Sequence, residues 1–171
     1  DAFAKLSIPK IQIINANELN TYLSNELDLD REHLVSLQQI NGTISGENMF
    51  VIDKESEKNI AYKFGLEEDE INDDEMHDIV LEITNILSSS TISKLAEDMD
   101  TKVSFCAPTI KSLDSINQLN NLFISKYEKV IIISTQLNFQ DLNINAELFI
   151  FTTDNSILYI KEKLNKILDE L

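Results

Sequence analysis

The sequence predicts an α+β fold in which mainly antiparallel strands form a sandwich with helices. Runs rich in β-branched residues have strand length and occupy residues 8–14, 34–44, 49–52, 103–107, 129–135 and 144–152. Two longer segments, residues 76–98 and 154–171, carry apolar residues at helical spacing. Because pairs of strands alternate with single helices, neighbouring strands are expected to be antiparallel, and an α/β arrangement is the alternative.

The first half of the chain predicts three strands and two short helices. A strand begins near Pro9, and a short helix or irregular turn follows over residues 18–29. The next two strands need a hairpin turn, which either residues 45–48 or the Asn-Gly pair at 41–42 can form. A helix over residues 56–64 is followed by a glycine, which favours the position after a helix end.

The most acidic stretch, residues 67–75, precedes the longest helical pattern. It lacks the alternating ligands and central glycine of a calcium loop. A solvated loop that leads into a helix N-terminus, where negative charge is favourable, is the better interpretation. In residues 76–98 one broad apolar arc predicts the face that packs on the sheet. The arc consists of Met76, Ile79, Val80, Ile83, Ile86, Leu87 and Leu95.

The second half predicts strands and a closing helix. Residues 103–107 form a short strand that ends before a proline. The continuous apolar run at 130–133 is typical of a strand buried on both faces, and residues 144–152 form a second late strand. A helix that begins with Asp154 or Ser156 as its cap completes the chain.

Composition limits the classes of function. The 171 residues are 43% apolar and 26% charged, which predicts a single domain over residues 1–171 with a core of its own. Thirty acidic residues against fourteen basic ones give a net charge of −16, which disfavours nucleic acid and anionic membranes as partners. No apolar run reaches the ~20 residues that cross a bilayer. Cys106 is the only cysteine, so no internal disulfide forms and a cytoplasmic location is expected.

Common catalytic and cofactor motifs are absent from the sequence. His33 and His77 lie in different predicted elements, so no histidine-rich metal site is expected. The chain has no Gly-x-Ser-x-Gly nucleophile motif and no glycine-rich phosphate loop. Cys106 lies in a predicted apolar strand, where an inert buried thiol is expected rather than a nucleophile.

A polar stripe on the long helix is the strongest candidate for a site. Asp78, Glu82, Asn85 and Ser89 recur at i, i+4, i+7 and i+11 and fall within a stripe roughly 60° wide, opposite the apolar arc. On spacing alone, the solvated face of an amphipathic helix is the better interpretation of this stripe.

The stripe and the residues after it resemble a known motif. The segment has Asp78, then Glu82, then Asn85, and twenty-two residues separate Asn85 from Pro108. This spacing resembles the signature of the CheC/CheX/FliY phosphatases of bacterial chemotaxis, and strands and helices follow in a similar order. The resemblance implies a CheC-like sandwich of mainly antiparallel strands with two long helices packed on the sheet.

The resemblance also implies an activity and roles for the motif residues. The substrate would be the aspartyl-phosphate of a CheY-like response regulator, hydrolysed by in-line attack of water, with Mg²⁺ held by the regulator and no cofactor bound by this chain. Asn85 would position the water, and Glu82 would pair with a lysine of the regulator. Asp78 would lie at the rim of the interface, and Pro108 would shape the adjoining strand end without touching the phosphate.

The sequence departs from the family pattern in two ways. Family members usually carry glycine four residues after the asparagine, where this chain has Ser89. CheC-like members carry two such helices, and this chain has one full motif. Residues 4–7 resemble the tail of a first helix, which predicts upstream chain that is missing here. The alternative is a single-site, CheX-like protein that forms a homodimer.

Two other classes of function compete with the phosphatase. One is a non-catalytic flagellar switch or scaffold protein of the same fold, like FliM, whose middle domain lacks the glutamate and asparagine. Such a protein would bind the regulator or other flagellar switch proteins without hydrolysing the phosphate. The other is an unrelated α+β binding domain whose polar stripe is only solvated surface.

Overall fold

The chain folds as one antiparallel sheet with helices on both faces. The computed structural model describes residues 4–6, 10–27, 32–113, 128–139 and 146–169. Within these residues, the strands are β1 (Ala4–Leu6), β2 (Lys10–Asn15), β3 (His33–Gly42), β4 (Gly46–Asp53), β5 (Val103–Phe105), β6 (Thr109–Leu113), β7 (Lys129–Phe139) and β8 (Ala146–Thr152). The helices are α1 (Leu19–Glu26), α2 (Lys54–Lys63), α3 (Asp73–Asp98) and α4 (Asp154–Asp169), and a 3₁₀ turn (Ala16–Glu18) precedes α1. The predicted α+β class with antiparallel strands is confirmed.

At each edge of the sheet, two short strands pair one after the other with the same neighbouring strand. β1 and β2 both pair with β7, the sheet continues through β8, β4 and β3, and β5 and β6 both pair with β3. All of these pairings are antiparallel. β2 and the β5–β6 segment therefore lie at opposite edges of the sheet.

Along the central strands, side chains point alternately to the two faces of the sheet. On one face, Phe50 of β4 packs with Val80 and Ile83 of α3, and α4 covers the neighbouring area. On the other face, Val51 packs with Leu23 of α1. The two long helices α3 and α4 therefore share one face, and α1 covers the other.

The predicted apolar arc of α3 is largely correct. Met76, Val80, Ile83 and Leu87 are all less than 10% exposed, and the last three pack against the sheet. Ile86 is the exception, because its side chain is 52% exposed and lies beside the polar stripe instead of in the core. The side chain of Leu95 lies outside the described residues.

The helix ends follow the predicted chemistry. Asn72 caps α3, because its Oδ1 accepts hydrogen bonds of 3.1 Å from the backbone N–H groups of Asp74 and Glu75. The acidic stretch thus leads into a helix N-terminus, as predicted. Gly65, with a φ of +90°, follows the end of α2 and supplies the left-handed conformation that a helix end favours.

The hairpin between β3 and β4 turns at residues 43–45, which neither predicted turn describes. Gly46 is already part of β4, where a Cβ atom would lie 1.9 Å from the carbonyl oxygen of Phe151. The glycine is therefore needed for close packing of β4 against β8 and not for the turn itself.

Two predictions need correction, and two others lie outside the described residues. Residues 4–6 form β1 and are not the tail of a helix, because they pair with β7. The strand at 103–107 ends at Phe105, and β6 was not predicted because the proline at 108 was interpreted as the end of the strand. The predicted strand start at Pro9 and helix end at Leu171 lie outside the described residues.

Candidate functional site

Helix α3 presents the predicted polar stripe on its surface. Asp78, Glu82 and Asn85 are exposed, and Ser89 is half-buried. The stripe lies opposite the buried side chains of the same helix, as the 3.6-residue period requires. Three functional groups of the motif are thus available to a partner.

The segment between β5 and β6 forms the other wall of an open groove beside this stripe. Two residues of β3, at 38 and 39, lie between its pairings with β5 and β6, whereas the opposing chain has three, at 106–108. The extra residue makes a bulge, and Pro108 fits there because it has no N–H to donate to the ladder. The groove is lined by Asp78, Glu82 and Asn85 on α3, and by Phe105, Cys106 and Pro108 opposite. The structure therefore brings together Asn85 and Pro108, which are distant in sequence.

Gln38 of β3 connects the two walls of the groove. Its side chain is 1% exposed, and its Nε2 donates to Asn85 Oδ1 at 3.1 Å and to the backbone carbonyl oxygen of Cys106 at 2.9 Å. The sequence analysis did not identify this residue. A signal was present, because Gln38 alternates in register with Leu34 and Ile40, which face the core.

Ser89, the departure from the family glycine, does not obstruct the groove. Its Oγ donates to the backbone carbonyl oxygens of Asn85 at 2.7 Å and Ile86 at 3.2 Å. The hydroxyl group is therefore satisfied by its own helix, in the manner common for serine in helices.

Cys106 does not occupy the predicted buried position. Its thiol is exposed, because β5 ends one residue earlier and Cys106 belongs to the bulge. The Sγ atom lies 3.4 Å from Asn41 Nδ2 and 3.8 Å from Gln39 Oε1. The thiol thus lies beside two side chains of β3 that alternate with Gln38 and Ile40, on the face of the sheet opposite α3.

The charge of the groove limits what can bind there. Among the residues that line it, Asp78 and Glu82 carry negative charge and none carries positive charge. Such a surface attracts a cationic side chain and repels a free phosphate ion. A phosphoryl group can enter only together with positive charge that its carrier provides.

The two histidines lie apart from the groove. His33 and His77 line a separate cavity under α2 and α3, together with Glu32, Lys54, Glu57 and Asp73. No group of three potential ligands in the described part of the chain is arranged to hold a metal ion. Burial raises the pKa of the Glu57 carboxyl above its ordinary value, and Asp73 and Glu32 add to this effect, whereas His77 and Lys54 oppose it.

The fold and the groove define a class of protein. In this chain an antiparallel sheet lies under a long helix that exposes a glutamate and an asparagine three residues apart, beside a proline-containing bulge. The family model described as chemotaxis phosphatase CheX matches residues 34–121, just over half of the chain. The chain belongs to this family.

Solved structures of this fold match most of the chain. FliY from Thermotoga maritima matches with a TM-score of 0.71 and 18% identity, over 95% of this chain and 82% of that one. CheX from Vibrio vulnificus matches with a TM-score of 0.54 and 18% identity, over 87% and 85% of the two chains. A CheC-like chemotactic protein from Shewanella oneidensis matches with a TM-score of 0.53 and 14% identity, over 87% and 84%. At these identities the similarity establishes the fold.

No curated protein matches the chain in sequence. Among the helices of the described residues, none combines the length and apolar character needed to cross a membrane.

Proposed function

We propose that this chain hydrolyses the aspartyl-phosphate of a CheY-like response regulator, and so acts in bacterial chemotaxis and flagellar motor control. The observation that carries the proposal is the Asn85 amide, which is exposed on α3 beside the bulge at residues 106–108. Membership of a family described as chemotaxis phosphatases supports the same reaction. The proposal places the protein in the cytoplasm, where response regulators are located.

An exposed amide suits the hydrolysis of an acyl phosphate. The reaction proceeds by in-line attack of water on phosphorus through a loose transition state, so positioning of the water contributes most of the catalysis. Asn85 can donate to and accept from this water without bringing negative charge next to the phosphoryl group. Mg²⁺ bound by the regulator would neutralise the developing charge on the phosphoryl oxygens.

The remaining groups of the groove have the chemistry of a docking surface. Glu82 lies one helical turn before Asn85 and is available to pair with a lysine of the regulator. Asp78 lies one turn further, at the rim. Ile86 is 52% exposed next to Asn85 and offers apolar surface that a protein partner would cover.

The acidic groove favours a protein-bound phosphoryl group over a small phosphate ester. Its lining residues provide no cation for the phosphate, so the regulator must supply both the metal ion and the lysine. In this proposal the metal ion is held by the regulator and not by this chain.

The test is the decay of the phosphorylated regulator with wild-type protein and with Asn85→Ala. Truncation of this exposed side chain removes no core contact, so the variant should fold normally. We expect its rate of dephosphorylation to fall on the order of 100-fold, because the water loses its positioning group.

The matched control is Asn25→Ala, which makes the same substitution at an exposed position of α1, on the other face of the sheet. This variant should keep the wild-type rate. A folded Asn85→Ala protein with near-normal activity would contradict the mechanism. A wild-type protein that binds the regulator but leaves its phosphate intact would favour the FliM-like scaffold instead.

A further inference from the structure

We propose that Gln38 is a positioning residue that fixes the orientation of the Asn85 amide and holds the two walls of the groove together. This inference deepens the proposed function and rests on it for the kinetic consequences. The hydrogen bonds of Gln38 themselves can be tested without any assay of activity.

The orientation of both amides follows from one unambiguous acceptor. The backbone carbonyl of Cys106 can only accept a hydrogen bond, so the Gln38 atom 2.9 Å from it must be Nε2 and not Oε1. The second N–H of Nε2 points to Asn85, whose facing atom must therefore be the acceptor Oδ1, at 3.1 Å. Asn85 Nδ2 consequently faces away from Gln38.

This arrangement prepares Asn85 for its proposed role. Gln38 occupies one lone pair of Asn85 Oδ1, which leaves the other lone pair and both N–H groups of Nδ2 for water or a phosphoryl oxygen. An amide that is held in place before the regulator docks does not have to be ordered during the reaction. The same Nε2 atom fixes the bulge at residues 106–108 relative to α3.

The buried environment of Gln38 carries an energetic cost. Its Oε1 is buried and has no hydrogen-bond partner among the described residues. A buried polar atom without a partner destabilises the fold, and an apolar residue at this position of β3 would avoid that cost. Asn48 Oδ1 is also buried without a partner among the described residues, so what distinguishes Gln38 is the pair of hydrogen bonds that its Nε2 makes to the two walls of the groove.

Asn48 provides a matched control. It is the direct cross-strand neighbour of Gln38 on the same face, it is fully buried, and its Nδ2 donates to Ser88 Oγ on α3. Asn48 thus links the sheet to the same helix, but Ser88 is buried and faces away from the groove. Replacement of either residue by leucine removes a buried hydrogen bond to α3, and only Gln38→Leu changes the site.

The kinetic test compares regulator dephosphorylation by the wild type, Gln38→Leu and Asn48→Leu. We expect Gln38→Leu to lower kcat about tenfold with little change in KM, because the docking groups of α3 remain. Asn48→Leu should keep kcat within about twofold. Wild-type kcat for folded Gln38→Leu, together with loss of activity in Asn85→Ala, would overturn this inference and leave the proposed function standing.

The variant Gln38→Glu gives a pH signature that a purely structural role would not produce. A protonated glutamic acid can still donate to Asn85 or Cys106, whereas the carboxylate can only accept and would turn the Asn85 amide around. The ratio of its kcat to that of the wild type should therefore fall as pH rises. A ratio that does not change with pH would contradict the proposed orientation.

A measurement on the isolated protein tests the hydrogen bonds directly. In ¹H–¹⁵N NMR spectra, the side-chain N–H₂ group of Gln38 should exchange slowly with solvent, because it is buried and donates twice. Gln38→Leu should shift the side-chain amide signals of Asn85, and Asn48→Leu should not. Fast exchange of the Gln38 amide, or unchanged Asn85 signals in Gln38→Leu, would overturn the inference even if the protein proves to have no phosphatase activity.

Discussion

Glu82 shows how one exposed carboxylate can contribute to recognition. It stands on the same face of α3 as Asn85 and lines the acidic groove. An exposed ion pair contributes little in water, but it gains strength when a docked partner excludes solvent from it. We therefore expect Glu82 to affect binding of the regulator as well as turnover.

Substitutions of Glu82 should weaken the complex in a graded way. Glu82→Ala should reduce affinity for a beryllofluoride-loaded regulator about tenfold, and Glu82→Lys should reduce it further, because it would oppose a lysine of the partner. Titration calorimetry measures the affinities, and Glu75→Ala, which removes an exposed charge from the first turn of the same helix, is the control. Unchanged affinity with lower turnover would refute the docking role.

At the scale of single residues, the sequence predicts the exposed side chains of α3 better than the residues that support them. The positions of Asp78, Glu82 and Asn85 follow from helical periodicity alone. Cys106 does not, because its position depends on the bulge opposite residues 38 and 39, and the alternation of β3 predicts the core face for Gln38 without predicting its contact with Asn85. A long-range pairing of this kind leaves only a weak local pattern.

Between elements, the contact of α2 with α3 contains a buried carboxyl group. Glu57 is 7% exposed and shares a cavity with Asp73, His77, Lys54 and Glu32. Burial disfavours its ionised form, which raises the pKa above the ordinary value of 4.5. The fold is therefore less stable when Glu57 is ionised than when it is protonated.

The pH dependence of this contact can be predicted. The unfolded chain ionises Glu57 at its ordinary pKa, and the folded chain ionises it only at higher pH, so the contribution of Glu57 to stability falls as pH rises through this window. We expect Glu57→Gln to become more stable relative to the wild type as pH increases from about 5 to about 8. Urea unfolding at several pH values measures this difference.

The control for this prediction is Glu55→Gln, which removes a charge from an exposed position of the same helical turn. Because this side chain is exposed, its replacement tests the loss of one negative charge from α2 without a change in a buried group. A Glu57→Gln protein whose stability follows the wild type at every pH would show that Glu57 is well solvated.

The prediction of whole elements succeeds where local patterns are strong. The apolar periodicity of α3 and the glycine after α2 define those helices within a few residues. The hairpin turn and β6 were missed for tertiary reasons. Gly46 is required by the approach of β8, and Pro108 interrupts the ladder for three residues without ending the pairing with β3.

On the scale of the whole molecule, the groove lies near one edge of the sheet and β2 forms the opposite edge. β2 pairs with β7 and, among the described residues, with no other strand. The groove borders β3, which is four strand positions away, or roughly 20 Å at the usual spacing. Pairing of two chains through β2 would therefore leave both Asn85 side chains exposed.

Self-association through β2 should depend on salt. An unpaired edge favours addition of a second strand, but a net charge of −16 on each chain opposes it at low ionic strength. We expect light scattering to show a larger dimer fraction at about 0.5 M salt than at about 0.02 M, because screening weakens the repulsion. Ile13→Glu should reduce the dimer fraction, because Ile13 is exposed on β2 and the new charge would lie at the contact. Tyr62→Glu adds the same charge at an exposed position of α2 and should have a smaller effect. A monomer mass at both salt concentrations, or equal effects of the two variants, would show that β2 does not mediate dimerisation.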